Sequence, residues 1–413
     1  MSIQNVVSAT NTDRAPHGIG PSSQAVAFSH YIHLAAQLGI DPHRGALVSG
    51  GVNEQAWQCF KNIRAIVDSI GHEMDDIVRI TIFVRHITDL DAVDGAFKAF
   101  FPRYVPARTA IAVAALPMEA LVQIEALVSH AAGTVPGAPQ TAPLIKVARN
   151  TAAAPTSLLS TQTVAFSHYN NLSAQIGIDP QSRELVAGGI GQQTHQCFQN
   201  IRAILDSIGH RMADIVKITI HVRDVLEIDA ATAVFTGLFA SHRPALTAIA
   251  VPALPMQAAV QIEAVVAHGD GTPPQAPEDG RNIVIRARNT AAVPGNAGSH
   301  SVAFSHYNHL SAQAPIDPPS GAVVAAGVQA QLRQCLRHIE AVLHSTGHAR
   351  GDLVKVNIYL MDMADLAEVD AACAEFFPDG VPARRVIGVA GLPGAALVHV
   401  DAVAANAEGT PPP

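Results

Sequence analysis

At 413 residues the chain is too long for one average domain and leaves room for two to four. With 48% apolar and 15% charged residues, well-buried cores are easily built, and a net charge of −8 argues against a nucleic-acid or anionic-membrane binder, which carries a basic patch or stripe. No run of 18 apolar residues exists to span a bilayer, and "MSIQNVVSATNTDR" lacks the basic and apolar regions of a secretory signal, so a cytoplasmic protein is expected.

In chain order, "SQAVAF" (23–28) and "YIHLAAQ" (31–37) are short alternating segments flanking Ser29 and His30, a strand–turn–strand signal. "NEQAWQCFKNIRAIVDSIGH" (53–72) places Trp57, Phe60, Ile63, Val67 and Ile70 at helical spacing, with Gly71 as the stop. "DDIVRITIFVRHI" (75–87) alternates from Ile77 and reads as a strand. "TDLDAVDGAFKAFF" (88–101) reads as a second helix, with Thr88 or Asp89 as N-cap and Val93, Phe97 and Phe100 or Phe101 on one face. "PARTAIAVAAL" (106–116) and "ALVQIEALVSH" (120–130) are two further strands. The order β-β-α-β-α-β-β predicts one sheet with two helices on one face, an α+β domain.

This pattern is written three times. "VAFSHY" begins at Val26, Val164 and Val302, an interval of 138 residues each time. Cys59, Cys197 and Cys335 keep the same interval, as do His72, His210 and His348; Cys373 stands outside it. Three domains are therefore expected at 1–132, 144–270 and 282–408, joined by Pro- and Gly-rich linkers at 133–143 and 271–281. A period of 138 is too long for a solenoid, so each unit should be a whole domain. The last strands are apolar on both sides in places, so the sheet face away from the helices also needs a cover. Packing of the three sheets around a pseudo-threefold axis supplies it, as cyclic symmetry does in oligomers. The cysteines are expected as reduced, buried thiols, and no clustered zinc ligands are present.

"GIGPSSQAVAF", "CFKNIRAIVDSIGHEMDDIVRITIFVRHITDLDAVDGAFKAFF" and "VPARTAIAVAALPMEALVQIEALV" together resemble the RidA/YjgF family of reactive-intermediate (imine) deaminases, and the resemblance covers each repeat almost end to end. It implies three RidA-like, chorismate-mutase-like domains arranged as an intramolecular pseudo-trimer, a monomer with internal pseudo-threefold symmetry. It also implies a hydrolase acting on C–N bonds of small carboxylated imines or enamines, with sites in clefts between neighbouring units, no metal and no organic cofactor. The arginine of the "PAR" motif would pair with the substrate carboxylate, for which a planar guanidinium is suited. A residue on the last strand would position the attacking water.

Carried over by position, the arginine is Arg108 in repeat 1 and Arg384 in repeat 3, whereas repeat 2 has Leu246, which either closes its cleft or lines an apolar pocket; Arg243 is the nearest substitute. The family's glutamate position holds Gln123, Gln261 and His399. Glutamine orients water but cannot take its proton; a histidine can. An acid persists two residues on, as Glu125, Glu263 and Asp401, on the same strand face. Ser173 and Ser311 match a substrate-binding serine of the family, Ala35 replaces it in repeat 1, and Ser22 stands where the family has a tyrosine. Gln37, Gln175 and Gln313 line the cleft or bond the sheet. His30, His168 and His306 are expected in solvated turns, and His72, His210 and His348 at helix carbonyl ends. Two other readings stay open: a diverged hydrolase or a ring-opening or tautomerising enzyme dependent on His399, and a non-catalytic ligand-binding or regulatory protein. RNA-cleaving roles also occur in the family, but an acidic chain with few aromatic residues argues against them. The partner expected is a small carboxylated molecule, with no nucleic acid and no membrane.

Overall fold

The computed structural model describes residues 7–131, 133, 144–239, 242–274, 283–378 and 382–407; the predicted linkers fall largely outside them. Repeat 1 contains β1 (Ser8–Thr10), β2 (Ala25–Phe28), β3 (Tyr31–Leu34), β4 (Gln37–Leu38), β5 (Ile40–Asp41), β6 (Ala46–Leu47), α1 (Val52–Ser69), β7 (Ile77–Val84), α2 (Leu90–Phe100), β8 (Ala107–Ala112) and β9 (Val122–Ser129). Repeat 2 contains β10 (Val147–Arg149), β11 (Thr163–Phe166), β12 (Tyr169–Leu172), β13 (Gln175–Ile176), α3 (Gly189–Ser207), β14 (Ile215–Val222), α4 (Ile228–Leu238), β15 (Ala245–Ala250) and β16 (Val260–Ala267). Repeat 3 contains β17 (Arg286–Arg288), β18 (Ser301–Phe304), β19 (Tyr307–Leu310), α5 (Val328–Ser345), β20 (Leu353–Leu360), α6 (Leu366–Phe376), β21 (Ala383–Gly388) and β22 (Val398–Ala405).

The α+β order β-β-α-β-α-β-β recurs in each repeat. Each main sheet runs in the order β1-β2-β3-β9-β7-β8 or its equivalent. β7 and β8 are parallel, the other pairs antiparallel, and the crossover through α2 makes the parallel pair possible. The sequence reading missed the edge strands β1, β10 and β17, because three residues carry no measurable period. It also put Trp57 at helical spacing with the residues that form the buried face of α1. Phe60, Ile63, Ile66 and Val67 are buried there, but Trp57 is 36% exposed and lies against Phe100 at the rim. Gly71 ends α1 as expected: its φ of +78° is left-handed, and His72 N–H reaches back to the Val67 carbonyl.

β7 shows how one strand serves two cores. Ile80, Ile82 and Val84 face the helices, while Phe83 faces the axis. A register shift between Ile77 and Arg79 lets Ile77 join the helix-side core as well, leaving Val78 on the axial side. The same shift recurs at Ile215/Lys217 and Leu353/Lys355.

The axial faces of the three sheets pack on one another. One apolar layer gathers Val26, Phe28, Tyr31 and their equivalents from all repeats; a second gathers Phe83, Ile111, Ile249, Tyr359 and Ile387. In the first layer each tyrosine donates to the next repeat: Tyr31 to the Phe166 carbonyl at 2.6 Å, Tyr169 to Phe304 and Tyr307 to Phe28. The three bonds close a ring. The adjoining turns are consequently not solvated, contrary to expectation: His30 and His168 are 9% and 6% exposed, because the three hairpins converge on the axis. The four cysteines are buried and unbridged, and no described helix is long and apolar enough to cross a membrane.

Tyr31→Phe removes the donor of a buried hydrogen bond between two repeats. A loss of about 1 kcal/mol is expected, read as a lower urea midpoint with an unchanged m-value and unchanged far-UV circular dichroism.

Candidate functional site

The clefts form where β8, β15 or β21 of one repeat meets the strand after the hairpin of the next. Backbone bonds set the neighbours: Ala174 N–H to Arg108 O at 3.1 Å, Ala312 N–H to Leu246 O at 3.0 Å and Ala36 N–H to Arg384 O at 3.1 Å. Repeat 1 thus faces repeat 2, repeat 2 faces repeat 3, and repeat 3 faces repeat 1.

Arg384 therefore shares its cleft with Gln123. The two line one pocket together with Ser22, Gln37, Leu38 and Val386. Arg384 is 6% exposed. Its Nη2 donates to Asp370 Oδ1 at 2.5 Å and to the Ile19 carbonyl at 2.8 Å, while Nη1 is buried without a partner. Gln123 Oε1 is likewise buried and unpartnered. Gln37 does both things open to it, lining the pocket and donating to the Ala35 carbonyl at 3.0 Å. Cys373, the cysteine outside the 138-residue spacing, lies beside Arg384 on α6.

Arg108 faces repeat 2, where Gln261 takes the place of Gln123. Its Nη2 donates to Asp94 Oδ1 at 2.5 Å, and its guanidinium lies 5.0 Å from the centre of the Phe97 ring. Gln261 Oε1 is unpartnered. Ser173 is committed to the scaffold: its Oγ accepts from Arg108 N–H at 2.9 Å and spends its only proton on the Thr161 carbonyl at 2.6 Å. Ser311 does the same between Leu246 N–H and the Ser299 carbonyl. Neither hydroxyl has a proton left for a ligand.

His399 faces Leu246, so the titratable base and the arginines sit in different clefts. His399 is 4% exposed, hydrogen-bonds the Pro393 backbone and keeps Nε2 unpartnered. Leu246 packs into the helix-side core of repeat 2. Arg243 does not replace the missing cation; it is exposed, and its Nη1 reaches the Ala297 carbonyl at 3.4 Å.

Glu125, Glu263 and Asp401 reach none of the clefts. They line a cavity on the axis and are held there by Lys355, Arg79 and Lys217. His72 and His210 bond the helix carbonyls of Val67 and Leu205 through their backbone N–H groups, while their side chains pair with Asp76 and Asp214 and with His130 and His268.

Sequence reasoning missed Asp94 and Asp370. A signal was present in the repeats: Asp94, Thr232 and Asp370 are equivalent positions, and threonine occurs only where Arg108 and Arg384 give way to Leu246. Thr232 Oγ1 is buried without a partner.

A family model described as endoribonuclease L-PSP matches residues 12–130, 151–268 and 290–406. The chain is also similar to proteins named 2-iminobutanoate/2-iminopropanoate deaminase. Identity is 38% over 128 residues to that of Dermatophagoides farinae, covering 31% of this chain and 98% of that protein. It is 41% over 125 residues to that of Homo sapiens, covering 30% and 89%. For Capra hircus it is 43% over 117 residues, covering 28% and 85%.

Burial holds His221 and His399 at about 4 and His309 at about 3, against an ordinary value of 6.5. The unfolded chain therefore binds more protons than the folded one between pH 6.5 and 4. Stability from these groups is complete above pH 6.5 and declines as pH falls toward 4. Urea midpoints should drop progressively from pH 7 to 4.5, and the drop should be shallower in His399→Gln.

Proposed function

The chain belongs, in each of its three repeats, to the endoribonuclease L-PSP (RidA/YjgF) family, and from that premise we propose that it is a hydrolytic imine deaminase working chiefly at the cleft between repeats 3 and 1. One observation carries this reading. Arg384 Nη1 and Gln123 Oε1 come from different repeats, line the same pocket, and are both buried without a hydrogen-bond partner. A buried donor on a cation and a buried acceptor suit a carboxylate at one end and a water at the other.

The substrate class is a small 2-imino acid. Its carboxylate takes the free Nη1 of Arg384, while Asp370 and the Ile19 carbonyl hold Nη2 and fix the guanidinium plane. The short apolar substituent lies against Leu38, Ile40 and Val386. Gln123 Oε1 accepts one hydrogen of a water and aims its lone pair at the imine carbon. The carbon of a protonated imine is already electrophilic, so orientation supplies most of what is needed. Water adds to that carbon, and the proton it sheds goes to the substrate's own nitrogen, the stronger base in the resulting carbinolamine. The C–N bond then breaks as the carbinolamine hydroxyl gives up its proton, which the departing ammonia takes, so the products are ammonium and a 2-keto acid. Gln123 takes no proton at any step. The cleft holding Leu246 and His399 has no carboxylate anchor and does not take part.

The test couples an imine-generating enzyme to this protein and follows the decay of 2-iminobutanoate. Acceleration by the wild type is expected. Loss of the charge-assisted anchor in Arg384→Ala should lower kcat/KM by about 100-fold, the equivalent of about 3 kcal/mol. Arg108→Ala should cost less than about 10-fold. Full activity in the double variant would sink the deaminase mechanism; loss in Arg108→Ala alone would move the reaction to the cleft between repeats 1 and 2.

A further inference from the structure

We propose that the cavity on the pseudo-threefold axis is a binding site for a small monovalent anion. It is separate from the clefts and does not depend on the deaminase reading. The cavity, of about 100 Å³, lies between the tyrosine ring of residues 31, 169 and 307 and a second ring formed by Phe83, His221 and Tyr359. All three repeats contribute to it, so it exists only in the assembled chain.

Its charges do not balance. Arg79, Lys217, Lys355 and Arg385 face the cavity, against Glu125, Glu263 and Asp401. Burial lowers both lysines from their ordinary value, and the carboxylate against each opposes that shift, Asp401 at 3.5 Å from Lys217 and Glu125 at 2.8 Å from Lys355. Every carboxylate is already well supplied. Glu263 accepts from Arg79 at 3.0 Å and Thr109 at 2.6 Å. Glu125 accepts from Lys355 at 2.8 Å and Arg385 at 2.6 Å. Asp401 accepts from Thr247, from Asn357 at 2.7 Å and from Tyr359 at 2.9 Å. One positive charge is left over.

The excess traces to one position. Thr109, Thr247 and Arg385 stand at the 138-residue interval. The two threonines each donate a neutral hydroxyl to an acid; repeat 3 puts a guanidinium there instead. Arg385 spreads over the Phe83 ring at 5.0 Å and donates Nη2 to the Tyr359 hydroxyl at 2.8 Å, and its Nε is buried without a partner. Two histidines facing the same cavity also have an unpartnered nitrogen: His221 Nδ1 (residue 5% exposed) and His309 Nε2 (residue 8% exposed). A neutral imidazole carries one N–H and donates to an anion without adding charge. An unbalanced buried cation is costly, and an anion beside it removes the imbalance. The size and the single excess charge select a monoanion of a few heavy atoms, a halide or a short carboxylate; a dianion would over-compensate.

The experiment equilibrates the full chain in mixtures of sodium bromide and sodium gluconate at fixed ionic strength, gluconate being too large for the cavity. The thermal midpoint of the wild type should rise with bromide and then saturate. Arg385→Thr, which installs the residue of the other two repeats, should abolish that dependence. Glu125→Gln adds a net positive charge and should saturate at bromide concentrations at least about tenfold lower. Anomalous diffraction from bromide-equilibrated crystals should place a peak in the axial cavity of the wild type. An equal bromide response in wild type and Arg385→Thr, or bromide found only on the outer surface, overturns the proposal.

Discussion

Everything in this molecule depends on how the second face of each sheet is covered. Helices protect one face only, and the other carries Val26, Phe28, Ile111 and their counterparts, which are too apolar to meet water. The three faces protect one another. The tyrosine ring shows the geometry at its most explicit, each hydroxyl bonding a carbonyl of the next repeat. Because the cover is supplied by a neighbour, each cleft is built from two repeats, and no repeat alone holds a complete constellation.

Joining three repeats in one chain frees those clefts to differ. In a homotrimer one substitution alters all three sites. Here Asp94 with Arg108, and Asp370 with Arg384, are ion pairs at 2.5 Å, while the equivalent pair in repeat 2 is Thr232 with Leu246. Removing one member of a buried ion pair leaves the other uncompensated. Replacement of both together is what that cost predicts. His399 lies opposite Leu246 and away from both arginines.

Between its two apolar layers the axis is polar, and its buried charges are four cationic side chains against three acids. Such a network adds little net stability, since desolvation offsets most of the Coulomb gain. It does reward one arrangement of the three repeats: Arg79 finds Glu263, Lys217 finds Asp401 and Lys355 finds Glu125 only when the repeats follow one another in the observed sense.

The sequence by itself determined the repeat and the element order within it. Those are local properties: apolar period, a left-handed glycine at 71, and motifs kept at 138-residue spacing. It placed Arg108, Arg384, Gln123, Gln261 and His399 in clefts but did not pair them, because pairing depends on which repeat lies beside which. It matched Ser173 and Ser311 to a substrate-binding serine, whereas their hydroxyls accept from a backbone N–H of the adjoining repeat and donate to a carbonyl of their own. It read His30 and His168 as solvated, since convergence of three turns on an axis leaves no mark within any one turn. The edge strands were too short to show a period. Only the tertiary structure decided that Arg384 meets Gln123, that His399 meets Leu246, and that the acids two residues on turn to the axis. Contacts between segments more than a hundred residues apart are set by packing between repeats, and no period within a repeat encodes them.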